Sequence, residues 1–113
     1  MKLQVSNNKH KIIFELNNSN AAASLVKQLP LNIKIENYSN DEKIFYPKKL
    51  DVSNTPMSQG RVGDLAYFAP WGDVVMYYGD AGPYDGLYQL GKCISGKNQI
   101  AKLKGKITLK LVK

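Results

Sequence analysis

The stretch Gly60–Gly79, G-R-V-G-D-L-A-Y-F-A-P-W-G-D-V-V-M-Y-Y-G, contains two strand-like runs on either side of a tight turn. The runs are Asp64–Phe68 and Val74–Tyr78, and the turn at 70–73, P-W-G-D, carries the only tryptophan of the chain. Because neighbouring side chains of a strand point to opposite faces, one aromatic of each adjacent pair should face a core and the other the outside. The stretch therefore predicts a β-hairpin with aromatic side chains on both faces.

The rest of the chain is mainly strand-like. Further segments with strand character are Lys2–Ser6, Lys11–Leu16, Leu31–Glu36, Glu42–Tyr46, Leu87–Ile94, Gln99–Leu103 and Lys106–Val112, and Asn37–Asp41 has turn composition. One segment has helical spacing, with Ser19 as N-cap, an apolar stripe at Ala22, Leu25, Val26 and Leu29, and Pro30 as its end. About eight strands with one main α-helix and no β-α-β rhythm predict a mainly β protein, folded as a closed or nearly closed barrel.

Length and composition fit one small globular domain that spans residues 1–113. A chain of 113 residues with 43% hydrophobic and 22% charged residues can bury a core of its own. The N-terminal residues lack the apolar core of a signal peptide, and no apolar run is long enough to span a bilayer. The single cysteine, Cys93, excludes an internal disulfide. We therefore expect a cytoplasmic protein without a membrane partner, either a monomer or a weak homodimer.

The net charge of +7 comes entirely from the C-terminal part of the chain. Residues 1–91 hold nine basic and nine acidic residues, whereas residues 92–113 hold seven lysines and no acid. Such a block can attract phosphate backbones, but isolated lysines at strand spacing also protect a sheet edge from aggregation. We favour a solvated lysine face and keep nucleic-acid binding as the alternative.

No catalytic or metal-binding constellation can be assembled from the residue types present. His10 is the only histidine, so a serine–histidine–aspartate triad or a histidine-based metal site has no second partner for it. The acids of the hairpin region do not follow the spacing of a calcium loop, and aspartate is common in turns; they are Asp64, Asp73, Asp80 and Asp85. We therefore predict no catalytic residue, no metal and no cofactor.

Six short motifs follow one another along nearly the whole chain. They are Asn20-Ala21-Ala22, Leu29-Pro30, Glu42-Lys43, the run G-D-L-A-Y-F-A-P-W-G at 63–72, Gly86-Leu87 and Leu90-Gly91. Their order resembles that of the small bacterial and archaeal cyclophilin-like domains, and the run at 63–72 is its most specific part. The resemblance implies a compact barrel of about eight strands capped by a helix, and it implies no settled activity.

The resemblance also raises peptidyl-prolyl isomerase activity, the reaction of true cyclophilins, which lowers the ~18–20 kcal/mol barrier to rotation about the peptide bond. True cyclophilins use an arginine near the proline nitrogen and carry Phe-His-Arg, Ser-Gln-Phe-Phe and a tryptophan followed by leucine. None of these motifs occurs here: the one arginine, Arg61, follows Gln59-Gly60, and Trp71 precedes Gly72. The chain is more readily interpreted as a binding protein than as an enzyme, with a weak isomerase as the alternative.

The function that we predict is non-covalent binding of a small molecule or peptide at one end of the barrel. The loop 48–62, the turn at Pro70 and Trp71, and the glycine-rich loop 79–86 are long or aromatic enough to line a site. The predicted ligand-binding residues are Glu42, Arg61, Tyr67, Pro70, Trp71, Tyr78 and Tyr84. For Trp71 a core position is the competing interpretation, and for Glu42 it is an exposed ion pair at the barrel rim.

Overall fold

The computed structural model describes all 113 residues and contains a single antiparallel sheet of nine strands. The strands are β1 Lys2–Ser6, β2 Lys11–Leu16, β3 Leu31–Lys34, β4 Glu36–Tyr38, β5 Glu42–Phe45, β6 Asp64–Phe68, β7 Asp73–Tyr77, β8 Leu87–Ser95 and β9 Lys106–Val112. Their spatial order is β3-β9-β1-β2-β8-β6-β7-β5-β4. The α-helix α1, Asn20–Val26, follows β2, and a 3₁₀ helix, Lys97–Lys102, lies between β8 and β9.

The sheet curls into a nearly closed barrel, as predicted. Its two edge strands, β3 and β4, are consecutive in the chain, and Ile35 is the only residue between them. Ile35 is buried, and its N–H donates to the carbonyl oxygen of Gly105 at 2.8 Å. One residue therefore joins the two edge strands, which pair only with β9 and β5 and not with each other.

The hairpin that decides the fold has the predicted alternation. On β6, Leu65 and Tyr67 belong to the barrel core, whereas Ala66 belongs to a second, smaller cluster on the outer face of the sheet. On β7, Val74 and Met76 face the core and Val75 and Tyr77 face the outer cluster. Strands β6 and β7 are thus buried on both faces, which is why they are nearly continuous apolar runs.

The helix α1 begins where the sequence predicts it. Ser19 is the N-cap, and its Oγ accepts a hydrogen bond from the Ala22 N–H at 3.1 Å. Ala21, Ala22 and Leu25 are buried against the core, so the helix covers one part of the barrel. The seven residues of α1 fall far short of a bilayer's thickness, and no helix of the structure is both long and apolar enough to cross a membrane.

Replacing the cap should weaken the fold by a modest amount. Ser19→Ala removes the acceptor for the Ala22 N–H, and we expect a loss of about 1 kcal/mol in the free energy of unfolding. Urea unfolding followed by circular dichroism measures it. Ser19→Asp, which restores an acceptor, should recover most of the loss, and equal losses in both variants would contradict a capping role.

Two local predictions were wrong. Residues 99–103 form part of the 3₁₀ helix and its C-cap, because Gly96 enters it with a φ of 80° and the buried Ile100 and Leu103 are three residues apart, one 3₁₀ turn. The predicted strand Leu31–Glu36 covers β3 and only the first residue of β4. The predicted turn at 37–41 begins two residues too early, because β4 includes Asn37 and Tyr38.

Candidate functional site

The most site-like cavity lies on the outer face of the sheet, over the strands β4, β5, β7, β6 and β8. Antiparallel register places three side chains in one row across it: Tyr38 of β4 lies opposite Glu42 of β5, which lies opposite Tyr77 of β7. In a second row, Asp73 of β7 lies opposite Phe68 of β6. Directly opposed side chains on one face are close enough to interact, so the register alone brings two acids and three aromatics together.

The floor of this cavity is the outer apolar cluster. That cluster contains Ile44, Ala66, Val75, Tyr77 and Leu87, with Phe68 and Ala81 packed against it. Ala81 belongs to the loop 79–86, which is held to the sheet because the Ala81 N–H donates to the carbonyl oxygen of Gly60 at 2.8 Å. The loop therefore folds back over the sheet and builds one wall.

Aromatic side chains form the opposite wall and the mouth of the cavity. Trp71, from the turn between β6 and β7, makes edge-to-face contacts with Tyr38 and Phe68, at ring-centroid distances of 5.2 Å and 5.6 Å. Tyr84 reaches in from the loop 79–86. Trp71, Tyr38 and Tyr84 are 50%, 43% and 52% exposed, so they frame an opening and not a sealed core. The enclosed volume is about 210 Å³.

Two carboxyl groups line this otherwise apolar space. Asp73 is only 2% exposed, and its Oδ1 has no hydrogen-bond partner. A buried polar atom without a partner is unusual and destabilising in a folded protein. Glu42 is half-buried between Tyr38 and Tyr77 and makes no ion pair. Its chain neighbour Lys43 points to the other face, with Nζ 5.6 Å from the centroid of the Tyr78 ring.

The surroundings raise the pKa of both carboxyls. Burial, with smaller contributions from the negative charges of Asp41 and Asp73, raises the pKa of Glu42 to about 7. Burial raises the pKa of Asp73 to about 6. Burial and the neighbouring acids also raise the pKa of the Tyr77 hydroxyl. Near neutral pH the cavity therefore carries one to two negative charges that are poorly solvated.

No cation within the protein compensates these charges. None of the nine residues that line the cavity is basic. The one ion pair of the structure joins the N-terminal amine to Glu15 at 3.0 Å, on β2. The chain has 16 lysine and arginine residues, but none of them lines the cavity.

The structure brings three of the sequence-predicted site residues together in this cavity: Glu42, Trp71 and Tyr84. Pro70 lies beside it, in a neighbouring groove that also borders Trp71. Tyr67 is buried in the barrel core, where its hydroxyl accepts a hydrogen bond from the Leu50 N–H at 3.3 Å.

The other two predicted residues, Tyr78 and Arg61, lie elsewhere. Tyr78 packs against the core from the inner face and donates its hydroxyl proton to Asn37 Oδ1 at 2.8 Å. Arg61 is exposed and precedes β6, whereas Trp71 follows it, so the length of the strand separates them. The structure therefore does not bring Glu42, Arg61 and Trp71 into one site.

The residues that sequence reasoning missed are Asp73, Tyr38, Phe68 and Tyr77. Asp73 resembles a turn residue in the sequence, and only its position as first residue of β7 buries it. Tyr38 lies in a segment with turn composition. Strict alternation on the hairpin could have placed Phe68, Asp73 and Tyr77 on one face together.

A larger depression lies elsewhere, around the lysine-rich C-terminal segment. It has a volume of about 590 Å³ and is lined by polar side chains, among them Lys102, Lys104, Lys106 and His10, with Ile107 as its single apolar residue. These lysines are exposed. An open, solvated surface of this kind lacks the apolar walls of a small-molecule site.

No group of three or more histidine, cysteine, aspartate or glutamate side chains in the structure is placed to share a metal ion. Cys93 is half-buried on β8, and burial raises the pKa of its thiol, which disfavours the reactive thiolate.

Comparison with known proteins gives a family and a fold. A family model described as a cyclophilin-like family matches residues 5–112. A solution structure of the hypothetical protein AF2241 from Archaeoglobus fulgidus is similar in fold, with a TM-score of 0.73 at 15% sequence identity, covering 99% of this chain and 95% of that one. None of the functionally curated proteins compared with the chain matches it.

Proposed function

The chain belongs to the cyclophilin-like family, and on that premise we propose that it binds a small molecule or a peptide side chain non-covalently in the cavity beneath Trp71. The observation that carries the proposal is the partnerless Asp73 Oδ1, buried inside an aromatic-walled cavity that opens to solvent. Ligand sites are typically concave and apolar, with a few polar groups that orient the ligand.

The geometry supports binding more than catalysis. Trp71, Tyr38 and Phe68 exclude water from one side of a bound group, and the loop 79–86 encloses it from the other. No serine, threonine, cysteine, lysine or histidine lines the cavity, and Tyr77 is a weaker acid than usual because of its burial. Two carboxyls in an apolar pocket can accept hydrogen bonds from a ligand, and a ligand donor would satisfy Asp73 Oδ1.

Tryptophan emission offers a direct test, because Trp71 is the only tryptophan and sits at the mouth. A panel of small metabolites and short peptides should include members that change its emission saturably. Val75→Phe, which fills the cavity floor, should weaken such binding at least about tenfold, a change of about 1.4 kcal/mol. The same substitution at the exposed Val62 should leave binding unchanged.

A panel that never perturbs Trp71 would contradict the proposal, as would ligands whose affinity Val75→Phe leaves intact. Should Val75→Phe fail to fold, backbone amide shifts of the parent protein on ligand addition give an independent map. Shifts must then centre on residues 71–77 and 81–87 for the proposal to stand.

Prolyl isomerisation is a weaker alternative. It depends on Arg61, which does not line the cavity. The backbone N–H of Arg61 donates a hydrogen bond to Asp64 Oδ2 at 3.0 Å. If the protein isomerises peptides, Arg61→Ala should abolish the activity while leaving ligand binding beneath Trp71 unchanged.

The lysines of the 590 Å³ depression are exposed, and salt-sensitive binding of nucleic acid would depend on them.

A further inference from the structure

We infer that the ligand of the cavity beneath Trp71 is an organic cation, an ammonium group carrying alkyl substituents, held between aromatic rings and the carboxylates of Asp73 and Glu42. The inference rests on the proposed function, because it specifies the chemical class of ligand for the same cavity.

The aromatic walls have the arrangement that recognises such a cation. Five of the nine lining residues are aromatic: Tyr38, Phe68, Trp71, Tyr77 and Tyr84. The indole plane of Trp71 meets the planes of Tyr38 and Phe68 at 84° and 71°, so the rings form adjoining walls and not a stack. Rings set at such angles form the sides of a box, and the electron-rich faces of indole and phenol rings attract alkylammonium groups.

The charge within the cavity has one sign. Asp73 has an unpaired, buried carboxyl oxygen, and Glu42 lies between two tyrosines without an ion-pair partner. The nearest further charge that acts on Glu42 is Asp41, also acidic, and one of its carboxyl oxygens is likewise buried without a partner. A buried negative charge is stable only when a positive charge or several donors face it. Because no basic side chain lines the cavity, the two carboxyls either hold a proton or face a cation that comes with the ligand. Above their raised pKa values of about 7 and about 6, the ligand's cation is the remaining partner.

The size of the cavity restricts the ligand further. A volume of about 210 Å³ corresponds to about seven water molecules at the ~30 Å³ that each occupies in the liquid. That space accepts a trialkylammonium group with a short chain, and the rest of a larger ligand would lie outside the opening framed by Trp71, Tyr38 and Tyr84. Phosphate-bearing ligands are disfavoured for a second reason, since they would add negative charge beside two carboxylates.

A pair of probes with the same shape and different charge tests the inference. Choline carries a trimethylammonium group, and 3,3-dimethylbutan-1-ol replaces its nitrogen by carbon. At pH 8 we expect choline to bind at least about tenfold more tightly, by calorimetry or Trp71 emission. The preference should shrink towards pH 5, because Glu42 and Asp73 then take up protons. The other titratable side chains near them are Asp41, which acts on Glu42, Tyr46, on which Asp73 acts, and the lining residues Tyr38, Tyr77 and Tyr84.

Variants separate charge from packing. Asp73→Asn should weaken choline binding about tenfold or more while changing the affinity for the alcohol less than about threefold. Glu36→Gln, an exposed acid on β4 outside the cavity, removes one charge in the same way and should change neither affinity. Tyr38→Leu should weaken choline binding, whereas Tyr88→Leu, at a half-buried tyrosine outside the cavity, should not.

The trimethylammonium group can come from a free metabolite or from a methylated lysine side chain. A short peptide with one trimethyllysine, compared with choline, distinguishes the two sources, and tighter binding of either supports the inference. Equal binding of choline and the alcohol overturns it, as does failure of both choline and the trimethyllysine peptide to bind while uncharged panel members do. In both cases the proposed function stands. The proposed function fails if no compound of any charge binds beneath Trp71.

Discussion

At pH 8, the double variant Glu42→Gln/Asp73→Asn should unfold with a free energy about 2–4 kcal/mol higher than that of the parent protein. Each carboxyl has a higher pKa in the folded than in the unfolded state. The pKa of Glu42 is about 7 against an ordinary value of 4.5, and that of Asp73 is about 6 against 3.8. One pKa unit corresponds to about 1.4 kcal/mol. The expected gain is smaller than the free energy that the two pKa shifts together correspond to, because Glu42 still reaches solvent, which screens its charge.

The same shifts fix the sign of the pH dependence. A carboxyl with a raised pKa binds more protons in the folded state, so its contribution to stability is fully present below its unfolded pKa. That contribution is lost as the pH rises through the folded pKa values, about 6 and about 7. The parent protein should therefore lose stability between pH 5 and pH 8 relative to the double variant.

Urea unfolding of both proteins at pH 5 and pH 8 measures the effect. The difference in stability between the two proteins should be smaller at pH 5 than at pH 8, and Glu36→Gln should follow the parent at both. A double variant that is no more stable than the parent at pH 8 would show that the carboxyls are solvated or paired.

Phe14→Ala should lower the free energy of unfolding by about 3–5 kcal/mol, the largest loss that we expect from one substitution. Phe14 lies on β2, is fully buried, and belongs to the barrel core. Phe68→Ala should lose clearly less, because Phe68 is half-buried and packs against the smaller outer cluster.

Thermal and urea unfolding of these two variants compare the inner core with the cavity wall. Phe68→Ala should retain the fold but weaken ligand binding beneath Trp71, whereas Phe14→Ala should affect binding only through stability. Equal losses of stability in both variants would contradict the division of the apolar residues into an inner core and an outer cluster.

The barrel could be predicted because local patterns dictate it. Alternation along Asp64–Phe68 and the P-W-G-D turn specify a hairpin, and Ser19 with its apolar stripe specifies a capped helix. The extent of β4 and the 3₁₀ helix at 97–102 could not be predicted in this way. Tyr38 joins a strand because β5 pairs with it, and Gly96 redirects the chain before Gln99.

The site was harder to predict than the fold, for a physical reason. Glu42, Trp71 and Tyr84 lie far apart in the sequence, and they meet only because the register of β4, β5 and β7 and the return of the loop 79–86 bring them together. Arg61 precedes β6 and Trp71 follows it, so the two residues lie at opposite ends of this strand. Asp73 carries no sequence signal of its burial, since aspartate in a turn ordinarily bonds local amides.

The destabilising character of the two carboxyls supports the proposed function. A fold selected only for stability would replace Asp73 by an apolar residue or would pair it with one of the many lysines. Residues that weaken the fold without local compensation are characteristic of binding sites, where the ligand supplies the missing interaction. Binding of a cation should accordingly raise the stability of the protein at pH 8.

The decisive measurement is a crystal structure of the protein with choline at pH 8. We expect the trimethylammonium group inside the cavity, within about 6 Å of the ring centroids of Trp71 and Tyr38, with the carboxylate of Asp73 facing it. An empty cavity at a saturating choline concentration, or choline bound only elsewhere on the surface, would contradict it.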